Sequence, residues 1–113
     1  MKKKEIIKKN YEFSKIINKR QIIKNKYFTV FYQENKENNK YGISIPKKIG
    51  NAVIRNKIKR QIKNIIDINK LIIPNSYDYV IIIKESVLEI HYQELQSQLI
   101  NLLKKVKGEQ NAN

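Results

Sequence analysis

The stretch Lys47-Lys48-Ile49-Gly50-Asn51-Ala52-Val53-Ile54-Arg55-Asn56-Lys57-Ile58-Lys59-Arg60-Gln61-Ile62-Lys63 joins a glycine-asparagine helix start to a basic run at helical spacing. At about 100° per residue, Ile54, Ile58, Ile62, Ile65 and Ile66 fall on one arc, while Arg55, Asn56, Lys59, Arg60 and Lys63 spread over the opposite side. One face packs and the other is left to bind, so the segment reads as an RNA-binding helix. A lysine- and arginine-rich face is commonly just a solvated surface laced by i,i+4 ion pairs. Here Asp67 alone answers the basic residues with opposite charge, so such pairs do not account for the pattern.

Composition agrees with that reading. The 113 residues carry 24 Lys+Arg against 10 Asp+Glu, a formal charge of +14. Such an excess repels itself in a compact state, and a polyanion is the partner that neutralises it. A membrane is the weaker alternative: the apolar run Val80 to Ile83 is only strand length, and Ile6-Ile7 after the basic start is too short for a signal peptide's apolar region. The cytoplasm is the expected compartment. With no cysteine and one histidine, disulfides and thiolate zinc sites are excluded. Length and the lack of a Pro/Gly/Ser-rich linker predict a single domain over 1–113, with a basic arm at 1–9 and a flexible polar tail at 108–113.

Outside the basic helix, expected from Asn51 to Ile66, the pattern predicts these elements. Asn10 caps a helix from Tyr11 to Asn18 with Phe13, Ile16 and Ile17 on its apolar side. Tyr27–Gln33 and Tyr41–Ile45 read as two antiparallel strands joined as a hairpin through the polar 34–40 segment. Ile22-Ile23 fits either a short strand or an extended packing segment. Asp78–Lys84 reads as an interior strand, and Tyr92–Lys107 as a last helix ended by Gly108. The order predicts an α+β fold, a two-layer sandwich of three helices on one face of a sheet of about four strands, mainly antiparallel, with the other face open.

The motif KKIGNAVIRNKIKRQIK at 47–63 resembles the protein subunit of bacterial ribonuclease P, whose hallmark is a basic helix after a KKxGNAVxRN stretch. The likeness extends more thinly to Lys8–Phe13, Tyr27–Tyr32, Tyr79–Ile83 and the last helix. It implies a left-handed βαβ crossover around the basic helix, against the general right-handed rule. It further implies an accessory subunit of an enzyme whose RNA performs a Mg²⁺-requiring hydrolysis, removing the 5′ leader from precursor tRNA. The partners implied are that catalytic RNA and precursor tRNA, not DNA and not a membrane, with no cofactor or metal held by the protein itself. By the same resemblance, Lys47, Lys48, Arg55, Asn56, Lys57, Lys59, Arg60 and Lys63 contact the catalytic RNA, while Phe13, Ile17 and Phe31 line a cleft for the single-stranded leader. Lys57 and Lys63 stand where the family usually has arginine, so bidentate phosphate contacts become point-charge contacts. Ile17 stands where an aromatic is common and packs without stacking.

No catalytic role is assigned to protein side chains. His91 precedes the last helix and fits its N-cap, with Glu94 three residues on. Asp67, Asp78, Glu85 and Glu89 are scattered rather than paired. Two other classes are weighed against the resemblance. A basic ribosomal protein, binding RNA without an associated reaction, lacks the specific helix motif; a helix-turn-helix DNA regulator would need a preceding helix where Ile45-Pro46 ends a strand.

Overall fold

The structure is a computed structural model that describes the backbone of residues 1–111 and side chains through Val106. In chain order it contains α1 (Asn10–Asn18), β1 (Ile22–Lys24), β2 (Phe28–Glu34), β3 (Lys40–Ser44), α2 (Ala52–Ile68), β4 (Tyr77–Ile83) and α3 (Tyr92–Asn111). One-turn 3₁₀ segments at Lys3–Glu5 and Lys47–Ile49 precede α1 and α2, and another at Glu85–Glu89 precedes α3. The three helices and four-stranded sheet give the expected α+β class, and Ile22-Ile23 belongs to a strand. No helix among the described residues is long and apolar enough to cross a membrane.

The sheet order is β1-β2-β4-β3, which replaces the expected hairpin. β2 pairs antiparallel with β4, Phe31 opposite Val80, and β3 pairs parallel with β4, Gly42 opposite Val80. Competition for the central slot explains the rearrangement. Tyr79, Val80, Ile81 and Ile83 are at most 1% exposed, so β4 needs cover on both faces and a strand on either side. The β2–β3 connection is tied to the start of β4 instead of folding β2 onto β3: Asn35 Nδ2 donates to Asp78 Oδ1 at 2.8 Å, and Asn39 Oδ1 accepts from the Tyr77 amide at 2.9 Å. A βαβ unit therefore runs β3–α2–β4 and carries the basic helix as its crossover.

Alternation along the strands sends two sets of side chains in opposite directions. Val30, Tyr79, Ile81 and Ile83 meet Ile58, Ile62, Ile65 and Ile66 of α2 and Leu95, Leu99 and Leu103 of α3 in the main core. Val80 joins Ile7 and Ile16 in a smaller core on the far face, flanked by Phe13, Phe31 and Ile82. The first helix thus lies across the sheet from α2 and α3, and the expectation of three helices on one face is corrected. The reason is Ile16: at 2% exposure it needs an apolar floor, and Val80 with Ile82 supplies it on the face the other helices leave free. Gly42 lets α1 sit low there, because a Cβ on it would stand 2.7 Å from Phe13 Cζ.

Three local expectations are also corrected. Asn10 is the first helical residue rather than the cap; Lys9 occupies the cap position without a side-chain hydrogen bond. Ile54 is 39% exposed instead of buried with its neighbours, since it lies in the first turn of α2, over Gly50. The last helix runs through Gly108 to Asn111, where hydrogen bonding along the backbone outweighs glycine's modest helix penalty; residues 112–113 of the polar tail lie outside the described residues.

Candidate nucleic-acid interface

The basic helix begins at a built start. Asn51 Oδ1 accepts from the Ile54 amide at 3.0 Å, a side-chain cap that satisfies one of the free first-turn donors. Arg55 Nε donates back to the Gly50 carbonyl at 3.1 Å, which fixes its half-buried guanidinium against the turn. There is no acid in the first turn, so the positive end of the helix dipole adds to Lys47 and Lys48, both exposed just ahead of it. Asn56, Lys57, Lys59 and Arg60 are exposed and Lys63 is half-buried.

Among the described residues, none of the cations from Lys47 to Lys63 has a carboxylate within ion-pair distance. Asp67, the one acid of the helix, is already taken by the Met1 ammonium at 2.8 Å and by Lys70 at 3.6 Å. The charges on α2 are therefore uncompensated within the protein, and an external anion meets them without first displacing an acid.

The helix distributes these groups over two sides. Lys59 and Lys63 lean toward α1 and line an open groove of about 750 Å³ with Asn10, Phe13, Ser14 and Ser44. Lys57 and Arg60 lie farther round. Their side is marked by Asn64, which donates to the Tyr92 hydroxyl of α3 at 2.7 Å. The eight residues expected to form the RNA surface are thus not equivalent: two of them share a groove with an aromatic ring.

The three residues expected to line the leader cleft separate as well. Phe13 opens into the groove beside Lys59 and Lys63. Ile17 and Phe31 are half-buried and do not line it. Phe31 stands in the cross-strand row Ile22, Phe31, Val80, Gly42, two strands from the glycine that Phe13 covers. Sequence reading assigns no binding role to Asn10, which it takes as a helix cap, or to Ser14 or Ser44. The first two carry a usable signal, lying three before and one after Phe13 on α1, whereas Ser44 comes from a strand whose place in the sheet the pattern misreads.

A second hollow of about 870 Å³ opens between the amino-terminal arm and the far end of α2. It too contains lysines, but Lys70 is held by Glu5 at 2.8 Å, and Glu5 and Glu37 both line the space. Burial opposes ionisation of Glu5, yet the hydrogen bonds from Lys70 and the Lys2 amide prevail and hold its carboxyl below the usual range. The hollow is an ion-paired clasp for the arm, whose Ile7 amide donates to the Tyr41 carbonyl at 2.9 Å along the β3 edge.

His91 is exposed, and its carbonyl accepts from the Leu95 amide at 2.9 Å, as at a helix start. No group of three or more His, Cys, Asp or Glu side chains able to hold a metal occurs among the described residues.

Comparison with known proteins matches this arrangement to one family. The family model described as Ribonuclease P covers residues 1–107. The ribonuclease P protein component of Mycoplasma capricolum is 51% identical over 109 residues, 95% of this chain and 100% of the relative. That of Bacillus cereus is 42% identical over 107 residues, 93% of each chain. Among solved structures, a Staphylococcus aureus RNase P protein mutant superposes with a TM-score of 0.85 at 36% identity, covering 93% of this chain and 90% of that one. The RNase P protein of Thermotoga maritima superposes with a TM-score of 0.82 at 30% identity, covering 89% of this chain and 96% of that one. Fold, basic helix and near-full-length identity agree, and the chain belongs to the ribonuclease P protein component family.

Proposed function

We propose that this chain is the accessory protein subunit of a cytoplasmic ribonuclease P. It grips the catalytic RNA on the exposed face of α2 and holds the single-stranded 5′ leader of precursor tRNA in the groove between α1 and α2. The observation that carries the reading is the meeting of Lys59, Lys63 and Phe13 in one groove on a chain of +14. Phosphates satisfy the ammonium groups, and a base stacks on the ring without regard to its identity. That combination suits a strand of variable sequence, each stacked base contributing about 1–3 kcal/mol.

The groove itself contains no carboxylate or imidazole that could take a proton from water. Its residues bind and position, and bond cleavage falls to the partner RNA with its Mg²⁺. Neutralising phosphates where catalytic RNA and leader converge lowers their mutual repulsion, so less Mg²⁺ is needed for assembly. Lys57 and Lys63 do this as point charges, contributing affinity with less orientational demand than arginine.

The test is cleavage of precursor tRNA at low Mg²⁺ with the cognate catalytic RNA, comparing RNA alone, protein alone and the two together. Cleavage at the mature 5′ end only with both supports the proposal. Absence of stimulation refutes it, and cleavage by protein alone refutes the accessory role.

A further inference from the structure

Tyr11 is the one phenylalanine or tyrosine among the described residues that lies exposed on the surface, with 66% of its area accessible. The other tyrosines are buried or half-buried, and four of them, Tyr32, Tyr41, Tyr77 and Tyr79, pack ring against ring in the core. Its placement is specific. Asn10 and Ser14, which line the groove, flank it on α1, and Ser14 is its i+3 neighbour on the helix surface. Lys9 Nζ stands 5.7 Å from the ring centroid, and Lys8 lines the groove just before it. Glu12 is the only acid of the helix. Tyr11 thus presents an exposed aromatic ring with a lysine ammonium beside it on the outer lip of the groove that contains Phe13.

We propose that Tyr11 is a second stacking platform, taking a nucleobase of the single-stranded leader after the strand has left the groove over the first turn of α1, with Lys8 and Lys9 on the adjoining phosphates. This rests on the reading that the groove takes the leader. A strand crossing from Lys59 and Lys63 past Phe13 and Ser14 meets Tyr11 next, whose ring is left largely open to solvent. Charge selects the occupant: a polyanion with flat, stackable bases fits a ring framed by lysines, and an apolar protein surface does not.

The test measures binding of precursor tRNAs by the holoenzyme, their leaders lengthened one nucleotide at a time, with wild-type protein, Y11A, Y11F and F13A. Y11A should match wild type on the shortest leaders and bind about 5- to 150-fold more weakly once the leader reaches the ring, the range set by stacking of one base. Y11F should retain wild-type affinity throughout. The chain has no tryptophan, so Y11W adds a unique fluorophore whose emission should be quenched only by long-leader substrates. Wild-type binding by Y11A at every length overturns the proposal, as does an equal loss for mature tRNA without a leader. F13A separates the two readings: if it loses affinity on short leaders while Y11A never does, the groove stands and its extension falls. If F13A too is indifferent to the leader, the groove assignment itself fails.

Discussion

Replacing Gly42 by alanine reads out the seating of Phe13. The added Cβ would stand 2.7 Å from Phe13 Cζ, 2.8 Å from Cε1 and 3.3 Å from Ile7 Cβ, whereas ordinary contact begins at 3.4 Å. The ring must therefore retreat by roughly 0.7 Å, and being half-buried it can do so only by tilting toward the groove or lifting α1 from the sheet. Overpacking of this kind costs typically 1–3 kcal/mol, and a ring with one free side places G42A at about 1–2 kcal/mol. In a domain of this size that is a fall in melting temperature of about 4–8 °C. The decisive assay is a double-mutant cycle by urea denaturation over wild type, G42A, F13A and the double variant. With the ring removed, alanine at position 42 loses its clash and gains over glycine in a strand, so the cycle should show coupling of about 1–2 kcal/mol. In the holoenzyme, G42A should also weaken binding of leader-bearing precursor more than of mature tRNA, because the displaced ring is the one lining the groove. Additive stabilities, within about 0.3–0.5 kcal/mol, would refute the packing argument.

Three further outcomes follow from the same geometry. Neutralising Lys57 and Arg60, on the outer side of α2, should weaken assembly with the catalytic RNA and flatten its log–log salt dependence by about 0.7–0.9 per lost phosphate contact; an unchanged slope would show that these side chains face solvent in the complex. Asn51→Ala removes the cap on the Ile54 amide and should cost about 1 kcal/mol in urea denaturation, with Asn51→Ser restoring most of it. The arm clasp should have a pH signature, because hydrogen bonding to Glu5 raises Lys70 above its ordinary value and Glu5 itself is lowered. Glu5 stabilises docking above its unfolded range, an effect lost as pH falls through its lower folded value. Lys70 contributes below its unfolded value, and that is lost as pH rises through its raised one. Hydrogen-exchange protection of the Ile7 amide should therefore persist through neutral pH and decline toward acid, and E5Q should abolish the acid limb.

The sequence makes legible those elements whose signal is local. The start of α2 is written in Gly50 and Asn51, its buried stripe in Ile58, Ile62, Ile65 and Ile66, and the interior strand in Val80 to Ile83. Partner choice is not local. Tyr27–Gln33 and Tyr41–Ile45 look like a hairpin because they are neighbours in the chain, and only the demand of β4 for cover on both faces decides otherwise. The side on which α1 lands is equally hidden, since Ile16 needs a floor without specifying which face supplies it. For the site, the cations of α2 are legible as a set, but their division between groove and outer face depends on where α1 lies. Phe13 entered the groove while Phe31 did not, a difference of two strands that no spacing rule contains.

The insertion of β4 between β2 and β3 sets the order in which this protein can form. As the chain leaves the ribosome, β2 emerges with only the three-residue β1 beside it, β3 emerges with no strand partner, and α2 emerges before the strand and the helix that bury its isoleucines. All three wait on residues Tyr77–Ile83, the strand both sheet neighbours need. Until then the segment is a polycation with open strand edges and exposed apolar side chains, a species prone to aggregate. β4 then joins the two halves of the sheet and α3, which follows it, completes the core over α2, so the shaped basic surface forms only once the last third of this sequence is in place.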